Sequence, residues 1–164
     1  MTEPAYRRST GTPRGQARRA AILEHVTRDL TENGLAGFSL RRAAKAAGTT
    51  HKVLLYHFES HDELLIEAIR LLRGRRIERG VAVASLGPSS SLAQRVRAIW
   101  PILTSGEGNV LNQAIGLSMY DPIRYAELGQ GSTQQYLPAL LAICPESWTG
   151  ARKTEVSEMI LAVL

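Results

Sequence analysis

The chain holds a single cysteine, Cys144, so neither an internal disulfide nor a zinc site built on several thiolates is open to it. No run of about 18 apolar residues, the length a bilayer-spanning helix needs, occurs along it, and no membrane partner is expected. The opening Met1-Thr2-Glu3-Pro4 leads to Arg7, Arg8 and Arg14 instead of the apolar stretch of a secretory signal, which predicts a cytoplasmic protein. Glycine-rich phosphate loops, nucleophile elbows and acid pairs at a suggestive helical spacing are missing, and that pattern speaks against an enzyme. Of the four histidines, only His57 and His61 are four apart, and a helix break separates them; no metal and no cofactor is expected.

What the chain does have is charge placed unevenly. Residues 1–80 carry 15 lysines and arginines against 9 acidic residues, whereas residues 81–164 carry 5 against 6. A positive head on a near-neutral body suits a protein that neutralises backbone phosphates. Residues 1–15, with Pro4, Gly11, Pro13, Gly15 and several arginines, read as a disordered basic arm. From Gln16 to Asn33, Ile22, Leu23, Val26 and Leu30 recur at helical spacing, and Gly34 stops the helix. Ser39 caps a short second helix that buries Leu40, Ala43, Ala44 and Ala47 and leaves Arg41, Arg42 and Lys45 off that face; Gly48 ends it. Thr49 or Thr50 caps a third helix through Phe58, with Leu54 and Phe58 facing inward. Ser60 and Glu63 form the sequence of a capping box for a long fourth helix starting near His61.

Two short helices joined by a glycine-containing turn, behind a longer one, satisfy the geometry of a helix-turn-helix. Leu54 and Phe58 are expected to pack on Leu40, Ala44 and Ile22, so that Thr49, Thr50, His51 and Lys52 project as donors and a cation toward major-groove edges and phosphates. Phe38-Ser39-Leu40-Arg41-Arg42-Ala43-Ala44-Lys45-Ala46-Ala47-Gly48, Leu55-Tyr56-His57-Phe58 and Ser60-His61-Asp62-Glu63-Leu64-Leu65 together resemble the DNA-binding head of TetR-family regulators, over roughly residues 16–72. The resemblance implies a repressor that binds a palindromic double-stranded operator as a homodimer and is released by a small-molecule ligand. It makes Ser39 a phosphate-touching helix start, Thr49 to Lys52 the base-reading segment, and Tyr56 and His57 phosphate contacts, with Arg41 and His61 completing the interface. Lys52 stands where many members have glycine, Leu55 where they often have an aromatic, and His61 where a lysine usually opens the fourth helix. A regulator controlled by a protein partner and a helical enzyme are the competing readings.

Residues 16–60 are thus expected to form the DNA-binding domain and residues 61–164 a helical regulatory and dimerisation domain. No sustained two-residue alternation occurs, so the chain is all-α: a three-helix head and a helical ligand-binding body. In the body, Gly87-Pro88-Ser89-Ser90-Ser91 reads as a break, residues 105–108 as a turn, and Asp121-Pro122 as the opening of a helix weakened at Gly129-Gln130-Gly131. A last helix starts near Gly150, and its uncapped apolar ending at Leu164 predicts further residues beyond. Trp100, Met119, Tyr120, Tyr125, Tyr136 and Trp148 are the candidate ligand-pocket residues, because such cavities favour aromatics with a polar tip. Histidine titrates near neutrality, with a reference pKa of about 6.5. His51, His57 and His61 therefore predict that operator affinity weakens as pH rises from about 6 to about 8, checked by binding titrations across that range.

Overall fold

The computed structural model describes residues 11–84, 91–103 and 106–163. Among the described residues every regular element is helical: α1 (Pro13–Asn33), α2 (Leu40–Ala46), α3 (His51–His57), α4 (His61–Ala84), α5 (Leu92–Leu103), α6 (Gly106–Tyr120), α7 (Ala126–Ile143) and α8 (Gly150–Val163). The chain divides into two compact units within α4, one ending at Ile69 and the other beginning at Arg70. No described helix is long and apolar enough to cross a membrane.

In the first unit each helix boundary has a local cause. Thr12 caps α1 by accepting from the Gly15 N–H at 3.1 Å, and Pro13 fits the first turn, where its missing N–H costs nothing. The helix therefore begins three residues before Gln16, and residues 13–15 are not part of a disordered arm. Residues 1–10 of that expected arm lie outside the described residues. Gly34 closes α1 at φ 70°, a conformation that strains any residue with a Cβ, and its N–H reaches Leu30 O at 2.8 Å. Gly48 ends α2 in the same way at φ 55°, and Thr49 N–H returns to Ala44 O at 2.9 Å. Ser39 and Thr50 are the caps of α2 and α3, accepting from Arg42 N–H at 3.2 Å and Val53 N–H at 3.4 Å. At α4, Ser60 Oγ accepts from Glu63 N–H at 3.0 Å, but the Glu63 carboxylate turns to the N–H of Glu59 and not to that of Ser60. The capping box is thus completed one residue early.

Two arginines hold the head together. Arg42 donates from Nε to Asp29 Oδ2 at 2.7 Å, from Nη1 to Ala36 O at 2.8 Å, and from Nη2 to Gly34 O at 2.8 Å and Asp29 O at 3.3 Å. The end of α1, the following loop and α2 are thereby joined through one side chain. Arg19 places its guanidinium 4.5 Å from the centroid of the Phe58 ring and pairs with Glu63 at 3.1 Å and Glu67 at 3.4 Å. That links α1 to α4, with Nε of the same residue on His57 O at 3.3 Å.

The second unit is built around α7, which packs against α6 and α8. Ala84, Ile99, Leu140 and Ile143 form a core cluster, joined by Val83, Leu92, Ile160 and Leu161. Three expectations change here. First, α7 runs unbroken through Gly129 and Gly131, because both glycines admit close neighbours: an added Cβ would stand 3.2 Å from Ser118 Oγ and 3.3 Å from Arg73 Nη1. Second, Asp121-Pro122 makes a turn, Asp121 Oδ1 accepting from Arg124 N–H at 3.1 Å, and the regular helix waits until Ala126. Third, Gly106 to Gly108 already belong to α6, whose Glu107 pairs with Arg79. The expected break at 87–91 falls almost wholly outside the described residues.

Replacing Arg42 with methionine removes four hydrogen bonds and leaves Asp29 Oδ2 without its guanidinium. The expected cost is about 2–4 kcal/mol, read as a lower midpoint in denaturant unfolding.

Candidate nucleic-acid interface

Leu54 and Phe58, at 0% and 1% exposure, anchor α3 from within. Residues four apart share a helix face, so burying this pair fixes which residues face away. His51, Lys52 and Leu55 are exposed, Leu55 by about half of its surface. Thr49 is half-buried in the turn, and Thr50, though exposed, commits its hydroxyl oxygen to the α3 cap. Ser39 does the same for α2, while Arg41 stands exposed on that helix. A cation, an imidazole and an aliphatic side chain therefore share the open side of α3, suited to phosphates, base edges and a thymine methyl. Leu55 was absent from the sequence-derived interface, since it lacks the polar tip of the aromatic that often stands there; its position one residue past Leu54 was the available signal.

The remaining predicted contacts are tied to protein groups. Tyr56 and His57 are half-buried and meet edge to face, their ring centroids 5.0 Å apart. Among the described residues, His57 Nδ1 is buried without a hydrogen-bond partner. His61 Nδ1 lies 2.8 Å from Asp62 Oδ1, and its ring is 5.1 Å from that of Phe38. Any charge His61 brings to a phosphate thus comes with a carboxylate beside it.

The six residues nominated for a ligand pocket do not converge. Trp100, Met119 and Tyr120 are 57%, 79% and 89% exposed. Tyr125 is buried under Arg124, whose guanidinium sits 5.1 Å from the ring centroid, and Trp148 is half-buried beside Arg152 at 4.6 Å. Tyr136 lines a cavity of about 260 Å³ shared with Arg73, Arg76, Leu111 and Ser132. Sequence reading missed the two arginines as cavity residues, since α4 also carries Arg70, Arg75 and Arg79 and residue type does not tell the buried guanidiniums from the exposed ones.

Residues 22–68 match the family model for bacterial regulatory proteins of the tetR family. The helix-turn-helix head is thus similar to the DNA-binding region of TetR-family regulators. A relative, the HTH-type transcriptional regulator PksA of Bacillus subtilis (strain 168), is 35% identical over 81 residues, which cover 48% of this chain and 40% of PksA. The match thus spans less than half of that relative's length. Among solved structures, the multidrug binding protein EbrR complexed with imidazole superposes over 98% of this chain and 81% of its own, with TM-score 0.68 and 18% identity. Its complex with proflavin gives 89%, 83%, 0.66 and 20%. At those identities the likeness is one of fold, and it extends the TetR-like architecture from the head through the helical body.

Within the helix-turn-helix head, His57 has a distinctive titration. Burial first, and then the charges of Arg18 and Arg19, hold its pKa below the ordinary histidine value. His57 is thereby removed from the groups that gain charge when the pH falls only slightly below neutral. The unfolded chain takes up this proton near pH 6.5, a reference value of about that size, while the folded head resists it. Stability from the neutral ring is therefore complete above that pH and is lost as pH drops toward the lowered folded value. Melting temperatures between about pH 7.5 and about pH 5 are expected to fall less for His57→Gln than for the unaltered chain. Parallel curves would remove His57 from this role.

Proposed function

We propose that the chain is a ligand-responsive transcriptional repressor of the cytoplasm that binds a palindromic operator as a homodimer. The observation that carries this reading is the orientation of α3, with Leu54 and Phe58 buried and His51, Lys52 and Leu55 open, while Arg41 of α2 is exposed as well. In this reading Thr49 to Lys52 enter the major groove, while Ser39, Tyr56, His57 and His61 lie against the backbone. Two copies must present their recognition helices about 34–36 Å apart to reach successive grooves on one side of the duplex.

Ligand control is supported by the cavity of about 260 Å³ in the second unit and by the EbrR structures, whose complexes hold imidazole and proflavin. The helix α4 carries the chain from the head into the unit that holds the cavity. A ligand that binds better to the body conformation incompatible with the operator shifts the population off DNA, by no more than its difference in affinity for the two states.

Selection from random duplexes, followed by binding titrations of the purified chain, tests this. A palindromic site is expected, with affinity falling by orders of magnitude between low and moderate salt. Lys52→Ala is expected to weaken the selected site by about 1–3 kcal/mol and, where Lys52 meets a phosphate, to lower the salt slope by about one. Failure to select any sequence, or unchanged binding after Thr49→Ala and Lys52→Ala together, would overturn the reading.

A further inference from the structure

Arg73 and Arg76 are only 3% and 8% exposed, yet both line the cavity of about 260 Å³ in the second unit. Among the described residues around that cavity there is no carboxylate; the other polar lining comes from Asn112, Ser132, Thr133 and Tyr136. The hydrogen bonds of Arg73 go to neutral oxygens, Gln135 Oε1 at 3.1 Å and Leu128 O at 2.8 Å. Glu127 pairs with Arg70 at 3.5 Å, and Glu107 with Arg79. Burial, together with the charges of Arg70 and Arg76, pushes the Arg73 pKa down, partly opposed by Tyr136. An arginine in a protein nevertheless keeps its proton, so positive charge stays concentrated at the cavity wall. Burying such charge is costly unless an opposite charge arrives with hydrogen bonds.

The second wall feature is apolar. A smaller cavity of about 40 Å³ shares Arg76 and Tyr136 and is otherwise lined by groups such as Ile77, Ile99, Ile102, Leu140 and Ile143. Tyr136 is hydrogen-bonded to Arg76, whose guanidinium lies 5.9 Å from the ring centroid, and burial raises the phenol's pKa and keeps it a neutral donor. Gly131 completes the arrangement, since a Cβ there would stand 3.3 Å from Arg73 Nη1 and crowd the guanidinium.

We infer that the cavity takes an organic anion with an apolar body, its acid group bound by Arg73 and Arg76 and its hydrocarbon part directed past Tyr136 toward Ile99 and Leu140. This deepens the ligand-responsive reading by naming the chemical class of the effector. Guanidinium binds carboxylates, sulfonates and phosphates through paired, charge-assisted hydrogen bonds, which a neutral or cationic molecule of equal size does not accept.

The test uses the full chain and two fluorescent probes that share an aromatic frame, anilinonaphthalenesulfonate and the neutral N-phenylnaphthylamine. The sulfonate is expected to bind at least about tenfold more tightly, the scale of one hydrogen bond to a charged group. Arg73→Met and Arg76→Met are each expected to narrow that preference to within about threefold while the neutral probe is held as before, with helicity and melting temperature confirming the fold. If a variant fails to fold, the comparison of the two probes on the unaltered chain decides alone. Equal or tighter binding of the neutral probe, or binding of neither, overturns the assignment. Adding each probe to the operator complex separates the two readings. Selective sulfonate binding that leaves operator affinity unchanged supports the anion site and overturns ligand control. Release of the operator by the neutral probe as effectively as by the sulfonate does the reverse.

Discussion

The burial of Leu54 and Phe58 is the constraint on which the head depends. A helix of seven residues has no stability of its own in water, so α3 exists because its inner face is held. Two side chains four apart settle its rotation, and rotation settles what is offered to the duplex. Arg19 adds a second restraint to the same point, its guanidinium lying over the Phe58 ring while its donors reach the Glu63 and Glu67 carboxylates. The small residues Ala43, Ala44 and Ala47, all buried, leave room for α2 to approach its neighbours closely.

Much of this head was legible in the sequence, because short helices need explicit punctuation. Ser39, Thr50 and Ser60 accept from the first turns that follow them, and Gly34 and Gly48 adopt the left-handed backbone that stops a helix. The start of α1 was obscured because Gly11, Gly15 and the arginines resemble a flexible arm, although Thr12-Pro13 is itself a cap followed by an N-terminal proline. Caps do not reveal tertiary partners, so the work of Arg42 in joining Asp29, Gly34 and Ala36 had no local signature.

The body was less legible for the same reason. Gly129 and Gly131 read as weak points by propensity, yet the structure uses their missing side chains to admit Ser118 and Arg73. Aromatic residue type did not report position either: Tyr120 and Trp100 lie at the surface while Tyr136 lines the cavity. Apolar residues occur on several faces of these helices, and which face turns inward is decided by neighbours far away in sequence. The burial of Arg73 and Arg76 reverses the usual expectation for charged side chains, so residue type did not report their position.

Arg41 and Arg42 are adjacent in sequence and have opposite fates. Arg42 is neutralised by Asp29, and Arg19 by Glu63 and Glu67, whereas Arg41, Lys45 and Lys52 are exposed. The charge the head presents to a polyanion is therefore smaller than its sequence total: Arg41 and Lys45 on α2 and Lys52 on α3 are exposed, together with Arg14, Arg18 and Arg28 on α1. The number of counterions that a bound duplex displaces is set by that exposed subset, from which the guanidiniums of Arg19 and Arg42 are withdrawn by the protein's own carboxylates.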